Sequence, residues 1–247
     1  MLSSFLYIFL NILLGVGSVF ATIVTGSWII GAILVLASKW RIFAVRPRFW
    51  LLNIKSSLVD LIVGFSLVLL TYYAGSTLSW VHLAYAVAYV LWLVVIKGLT
   101  SDRGILAQSI IAVFLGTCAA TVAASTIDSS VMVALEFLIG FGASRHILVQ
   151  GDEKNSTTLA CVCGLIAAEV TWLCHSWMII YTFGTLLVPQ LAIILSIIAF
   201  LFYHIYNSAT KNAGKVKFTD IRIALIFSVI VLAVIVIGFS NPRFNIF

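Results

Sequence analysis

Between Ser38 and Ser57 the chain reads SKWRIFAVRPRFWLLNIKSS, a stretch holding Lys39, Arg41, Arg46, Arg48 and Lys55, five of the fourteen basic residues. Long apolar runs flank it on both sides. One such run, Ile223–Phe239 (IALIFSVIVLAVIVIGF), is apolar on every face. Hydrocarbon offers the backbone no partners, so a crossing segment must be a helix or part of a closed barrel. Barrel strands alternate lipid-facing and lumen-facing residues, and 223–239 does not alternate. The expected fold is all-α: a polytopic transmembrane helix bundle.

Composition agrees with this. The 247 residues are 63% hydrophobic and only 9% charged, where soluble domains carry about 25% charged residues. Mean hydropathy is +1.20 and the pI about 9.3. In a soluble chain that pI would suggest nucleic acid. Here the basic residues flank apolar spans, as they do in membrane proteins, and nucleic acid is not an expected partner. Cys118, Cys161, Cys163 and Cys174 all fall within apolar runs, where cysteine serves as a small filler rather than a disulfide framework. The start, MLSSFLYIFLN, lacks the charged n-region of a secretory signal, so cleavage is not expected.

About eight spans are expected. The first apolar run, from Leu2 to Ala37, would reach roughly 54 Å as one helix. It is read here as a single long, tilted or bent helix. A hairpin broken at Gly15, Gly17 or Gly26 would raise the count to nine. The remaining spans are placed near Leu58–Tyr73, Leu78–Ile96, Gly104–Ser125, Ser130–Ile147, Thr158–Phe183, Pro189–Tyr206 and Ile221–Phe239. Gly75-Ser76 and Asp128-Ser129-Ser130 supply turns, and Pro189 suits a first helical turn. No repeat or long loop appears, so residues 1–247 form one integral membrane domain.

Assigning the loops alternately puts Lys39, Arg41, Arg46, Arg48, Lys55, Lys97, Arg103, Arg145, Lys154, Lys211, Lys215, Lys217 and Arg222 on one side. Arg243 alone falls on the other. The positive-inside rule makes the first side cytoplasmic. In the eight-span arrangement both termini then lie outside, and the expected location is the plasma (cytoplasmic) membrane. The sequon Asn155-Ser156-Thr157 falls on the cytoplasmic side and is read as a chance match.

Within 38–57, Trp40, Arg41, Arg46, Arg48 and Trp50 are the candidate lipid-interface residues. Aromatic rings favour the headgroup level, and each juxtamembrane cation gains roughly 1 kcal/mol near anionic lipid. Anionic headgroups are thus the expected partner, alongside a partner subunit or a second copy of the chain. Pro47 bends the path between Arg46 and Arg48.

Ionisable groups inside spans are costly and mark functional candidates. Asp60 and Lys97 fall at similar depth near the ends of neighbouring antiparallel helices and can pair, a structural role. Glu136 and Glu169 fall roughly 9 and 13 Å from the outer edge of consecutive antiparallel helices, counting from Met178 for the second. Close approach would let them share a proton or a cation, with His175 as a proton acceptor at the mouth. The competing role is a pair of neutral acids tying helices together. His82, His146 and His204 sit near helix ends and receive no role. Cys161 and Cys163 project about 200° apart on a helix, so no metal site is expected.

Gly116, Ala120 and Ala124 form a small-residue stripe that places 104–125 inside the bundle. The bulky 221–239 run belongs at the periphery. No Walker A loop, dinucleotide fingerprint, His-Glu-x-x-His or complete nucleophile elbow occurs, so no enzyme class and no cofactor is assigned. Proton- or cation-coupled movement of a small solute or ion is the leading expectation. A non-catalytic membrane subunit or assembly protein is the alternative. Cysteine-accessibility labelling is expected to find residues 39–55 and 211–217 reachable from the same membrane face; labelling from opposite faces would overturn the topology.

Overall fold

The computed structural model describes residues 2–175 and 179–238, with side chains from residue 5 onward. Helix α1 (Leu2–Thr25) ends at Gly26, whose φ of +59° lies in the left-handed region that glycine enters without a Cβ penalty. Ser27 then caps α2 (Trp28–Ser38), accepting from the Ile29 N–H at 3.3 Å. The two helices fold back on one another. A Cβ added at Gly31 of α2 would collide with the Thr22 hydroxyl of α1, a contact impossible in a continuous helix.

The first apolar run is therefore a hairpin, not the single helix preferred from its length, and the start of α1 comes to the end where Lys39 lies. An outside N-terminus does not follow from this arrangement. At 11 residues, α2 rises about 16 Å and falls short of a ~30 Å core. Among the described residues seven helices are long and apolar enough to cross a membrane, or eight counting one bent pair. The chain is an integral membrane helix bundle.

That bent pair begins in the basic stretch. Short α3 (Trp40–Phe43) leads to a 3-10 turn at Pro47–Phe49 and α4 (Trp50–Ser56). The Pro47–Ser56 limb meets α5 (Leu58–Tyr73) at 72°. With α5 upright in the bilayer, this limb runs nearly along the surface. Phe43 and Trp50 meet edge to face at 5.6 Å, and the Arg48 guanidinium lies 4.7 Å from the Phe49 ring centroid. Trp40, Arg41, Arg46, Arg48 and Trp50 are all exposed.

The bundle continues through α6 (Trp80–Val94), α7 (Asp102–Ala123), α8 (Ser129–Gln150), α9 (Ser156–Cys174), α10 (Gln190–Lys211) and α11 (Phe218–Ala233), the last extended by a π turn at Val234–Gly238. Caps mark several starts. Ser79 and His82 form a reciprocal box on α6, Ser101 accepts from Gly104 N–H, and Asp128 accepts from Ser130 N–H at 2.8 Å. The two Ser130 hydrogen bonds hold the Asp128 carboxyl below its ordinary range.

Helix α7 is the central strut. Its apolar window is 67% buried, against 17% for α11, which matches the small-residue stripe and the bulky periphery read from the sequence. Ser109 donates to the Ala143 carbonyl at 3.1 Å, fastening α7 to α8. The most extensive helix pairing among the described residues is α8–α9. There Gly140 faces Gly164 and Ala167, and a Cβ at Gly164 would come within 2.8 Å of the Phe137 carbonyl oxygen.

One element was not expected. Residues 180–189 were read as the end of one span and the loop before the next. They instead form a β-hairpin, β1 (Ile180–Phe183) against β2 (Leu186–Pro189). Gly184, at φ +64°, opens its two-residue turn, the position where hairpins need a positive φ. Leu186 and Leu187 pack against the core at the end away from Lys39. Met178, used to gauge depth, and Arg243 lie outside the described residues.

Gly164→Leu is expected to destabilise the bundle by about 1–3 kcal/mol through overpacking against helix backbone. Thermal unfolding in detergent measures this, and an unchanged midpoint would contradict the α8–α9 contact.

Candidate functional site

Seven helices, α1 and α3 to α8, bring polar groups together at the basic end. Asp60, in the first turn of α5, is nearly buried and anchors the group. Trp92, buried on α6, donates its Nε1–H to Oδ1 at 2.9 Å. Oδ2 accepts from two ammonium groups, Lys97 at 2.5 Å and Lys39. The Asp60–Lys97 pair expected from depth alone is present. Lys39, grouped by sequence with the lipid-facing segment, turns inward as a third member.

This cluster forms one wall of a cavity of about 480 Å³. Tyr7 and Asn11 of α1, Arg41 of α3, Ser56 of α4, Ser57, Gln108 of α7 and His146 of α8 complete its lining. Three cations face one carboxylate. Gln108 spends its amide N–H groups on the Ile96 and Leu99 carbonyls at 2.7 and 2.9 Å. Its oxygen is left to accept from His146 Nε2 at 2.7 Å, which leaves Nδ1 as the other ring position. Asn11 Nδ2 is buried without a hydrogen-bond partner.

A second cavity, about 320 Å³, shares Ser56, Val59 and His146 with the first. Arg145 lines it, donating to the Lys55 carbonyl at 3.0 Å while its buried Nε has no partner. Helix ends from distant parts of the chain thus concentrate cations and open donors at one place.

The membrane-interior acids are arranged differently from the expected pair. Glu136 is fully buried, with Thr117 Oγ1 of α7 donating to Oε2 at 3.0 Å. Its Oε1 has no partner. Beside it lies a small, mostly apolar cavity of about 70 Å³ between α8, α9 and α10, lined also by Ile139, Cys163, Ala167 and Leu195. Glu169 is exposed on α9. Ala167 is the residue facing α8, and two positions later a helical side chain points about 200° away. Similar depth did not bring the two carboxyls together.

His175 is exposed beside Ser129, Ser130 and Trp172 at the opposite end, apart from Glu136. His82, assigned no role, is fully buried; its Nε2 meets the Gly75 carbonyl at 3.0 Å and its Nδ1 completes the α6 cap. Sequence reasoning also missed Lys39, Trp92, Gln108, His146 and Asn11 as members of the cavity. Lone amides at 11 and 108 within apolar runs were the available signal. Compared with protein-family models, curated proteins and solved structures, the chain matches none.

Removing the shared carboxylate leaves two ammonium groups facing each other. Asp60→Asn is expected to lower stability by about 3 kcal/mol, and Lys39→Met added to Asp60→Leu to recover part of it. Equilibrium unfolding of the solubilised protein measures both. No loss in the single variant would remove Asp60 from the centre of the cluster.

Proposed function

We propose that the protein moves a small solute or ion across the membrane, with the movement coupled to a proton or cation. The observation that carries this reading is Glu136. A carboxyl inside a span, fully buried, with one neutral donor and one oxygen unpartnered, is costly, and such residues are functional candidates. Its neighbouring cavity lies where α8, α9 and α10 meet. A modest separation of those helices would let water reach the acid, and a proton taken there would travel with the solute. The two larger cavities at the basic end supply an entry chamber on one side of this acid.

In the same reading the basic end faces the cytoplasm of a plasma membrane, following the positive-inside rule. The limb at 38–57 then rests in the headgroup layer, its exposed arginines and tryptophans against anionic lipid. The alternative is a non-catalytic subunit or assembly protein. It draws on the bulky outer face of α11 and its π turn, where Ile223, Ile230 and Ile237 are exposed. A solubilised particle containing a second kind of chain would support it.

Proteoliposomes loaded with a pH-sensitive dye test the transport reading. Imposing a solute gradient is expected to drive proton movement that depends on the protein, and Glu136→Gln to abolish it while leaving unfolding temperature near that of the parent. Equal coupled flux in the variant would exclude Glu136. No protein-dependent flux of any tested cation, anion or neutral solute would sink the reading.

A further inference from the structure

We propose that the cavity at the basic end is a binding site for a small anion carrying phosphate or carboxylate oxygens, and that Asp60 is its resident counter-ion. For transport, this names the substrate class and rests on the reading above; binding itself is independent of it. Lys39 and Lys97 converge on a single oxygen of Asp60, so the fold already holds two ammonium groups around one anionic oxygen atom. Trp92 fixes the other oxygen at 2.9 Å. Asp60 can neutralise only one of the two, and Arg41, lining the same cavity, has no hydrogen bond or ion pair among the described residues. The excess is two positive charges around a partly open cavity.

Hydrogen-bonding capacity points the same way. Asn11 Nδ2 in this cavity and Arg145 Nε in the adjoining one are buried donors without partners. Buried donors that lack a partner are rare. Both side chains line the cavities although these two nitrogens are themselves covered, so a small side-chain rotation would present them to an acceptor from outside the chain. The volume of about 480 Å³ falls within the ~300–1,000 Å³ usual for ligand pockets. A cation would meet one carboxylate already engaged by three donors, so the electrostatics select against it.

An entering anion has defined first contacts. Arg41 and Lys97 are both exposed among the lining residues, so an incoming oxyanion meets these two before the more covered Lys39. Lys97, with 39% of its side chain exposed, can leave Asp60 for the ligand while Lys39, at 11%, stays. The ligand therefore shares the cluster with Asp60 instead of displacing it. A free anion from solution and the headgroup of an anionic lipid offer the same oxygens, and the site's position near the basic limb admits both.

The test is calorimetric titration of the full chain in neutral detergent, using inorganic phosphate, succinate and a short-chain phosphatidic acid as probes, with chloride at matched ionic strength as control. Saturable binding of at least one probe is expected. Arg41→Gln, which breaks no bond within the fold, and Lys97→Gln are each expected to weaken it about tenfold, the loss of one charge-assisted hydrogen bond. Lys97→Arg should retain binding, and Asp60→Asn should bind more tightly and be stabilised by the probe more than the parent is. Binding of phosphate or succinate assigns the site to a free anion; binding of the phosphatidic acid alone assigns it to lipid. No saturable binding of any probe, or affinities unchanged in both glutamine variants, would overturn the proposal. Anion binding without flux would sink the transport reading alone, whereas coupled flux of a cation or neutral solute without anion binding would sink this one alone.

Discussion

Charge taken out of water must be met by opposite charge or by hydrogen bonds, and Asp60 shows how the bundle arranges this. Its carboxylate is reached from the end of α2 by Lys39, from the body of α6 by Trp92 and from the end of that helix by Lys97. Three separate helices are thereby held at one level. Everything at the basic end is positioned relative to that level. The sharp turn out of α4 sets Asp60 in the first turn of α5, and Gln108 ties the start of α7 to the loop after α6. The same concentration of donors that secures the fold leaves more positive charge than the fold can use.

Elsewhere the bundle relies on small residues and on neutral hydrogen bonds. Gly140 and Gly164 let α8 and α9 approach closely, and Gly15 admits Val90 of α6 against α1. Lipid gives helices no hydrophobic reason to associate, so such close backbone packing does that work. Glu136 stands apart from this pattern, since a leucine or alanine would fill its position without an unpartnered oxygen. The molecule thus has two unlike polar regions, a cationic basin at one end and a solitary acid within.

Much of the architecture was legible because lipid restricts what a chain can do. Uniformly apolar runs broken at Gly75-Ser76 and Asp128–Ser130 gave α5 at both ends and α6, α7 and α8 closely, whereas the reading of α9 ran on to Phe183 and that of α10 stopped short at Tyr206. Burial of α7 followed from its small-residue stripe, and the joint position of Asp60 and Lys97 from counting residues. What failed depended on tertiary choice. Gly15, Gly17 and Gly26 were equal candidates for a break until Gly31 docked against Thr22 and Val68. The strand at 180–183 was read as the end of a span because a short apolar run suits a helix or a strand equally. Glu136 and Glu169 were matched in depth but not in azimuth, which is set by the α8–α9 contact face. The basin gathers residues from 7 to 146, and no local pattern announces such a gathering.

The shortness of α2 bears on how the chain is made. A segment of that length cannot rest alone in hydrocarbon, since one end would leave unpaired backbone groups and Lys39 in contact with acyl chains. It can settle only against α1 on one flank and α5 on the other, where Gly31 meets Val68. The packing of the first hairpin is therefore complete only once the chain has been made as far as α5.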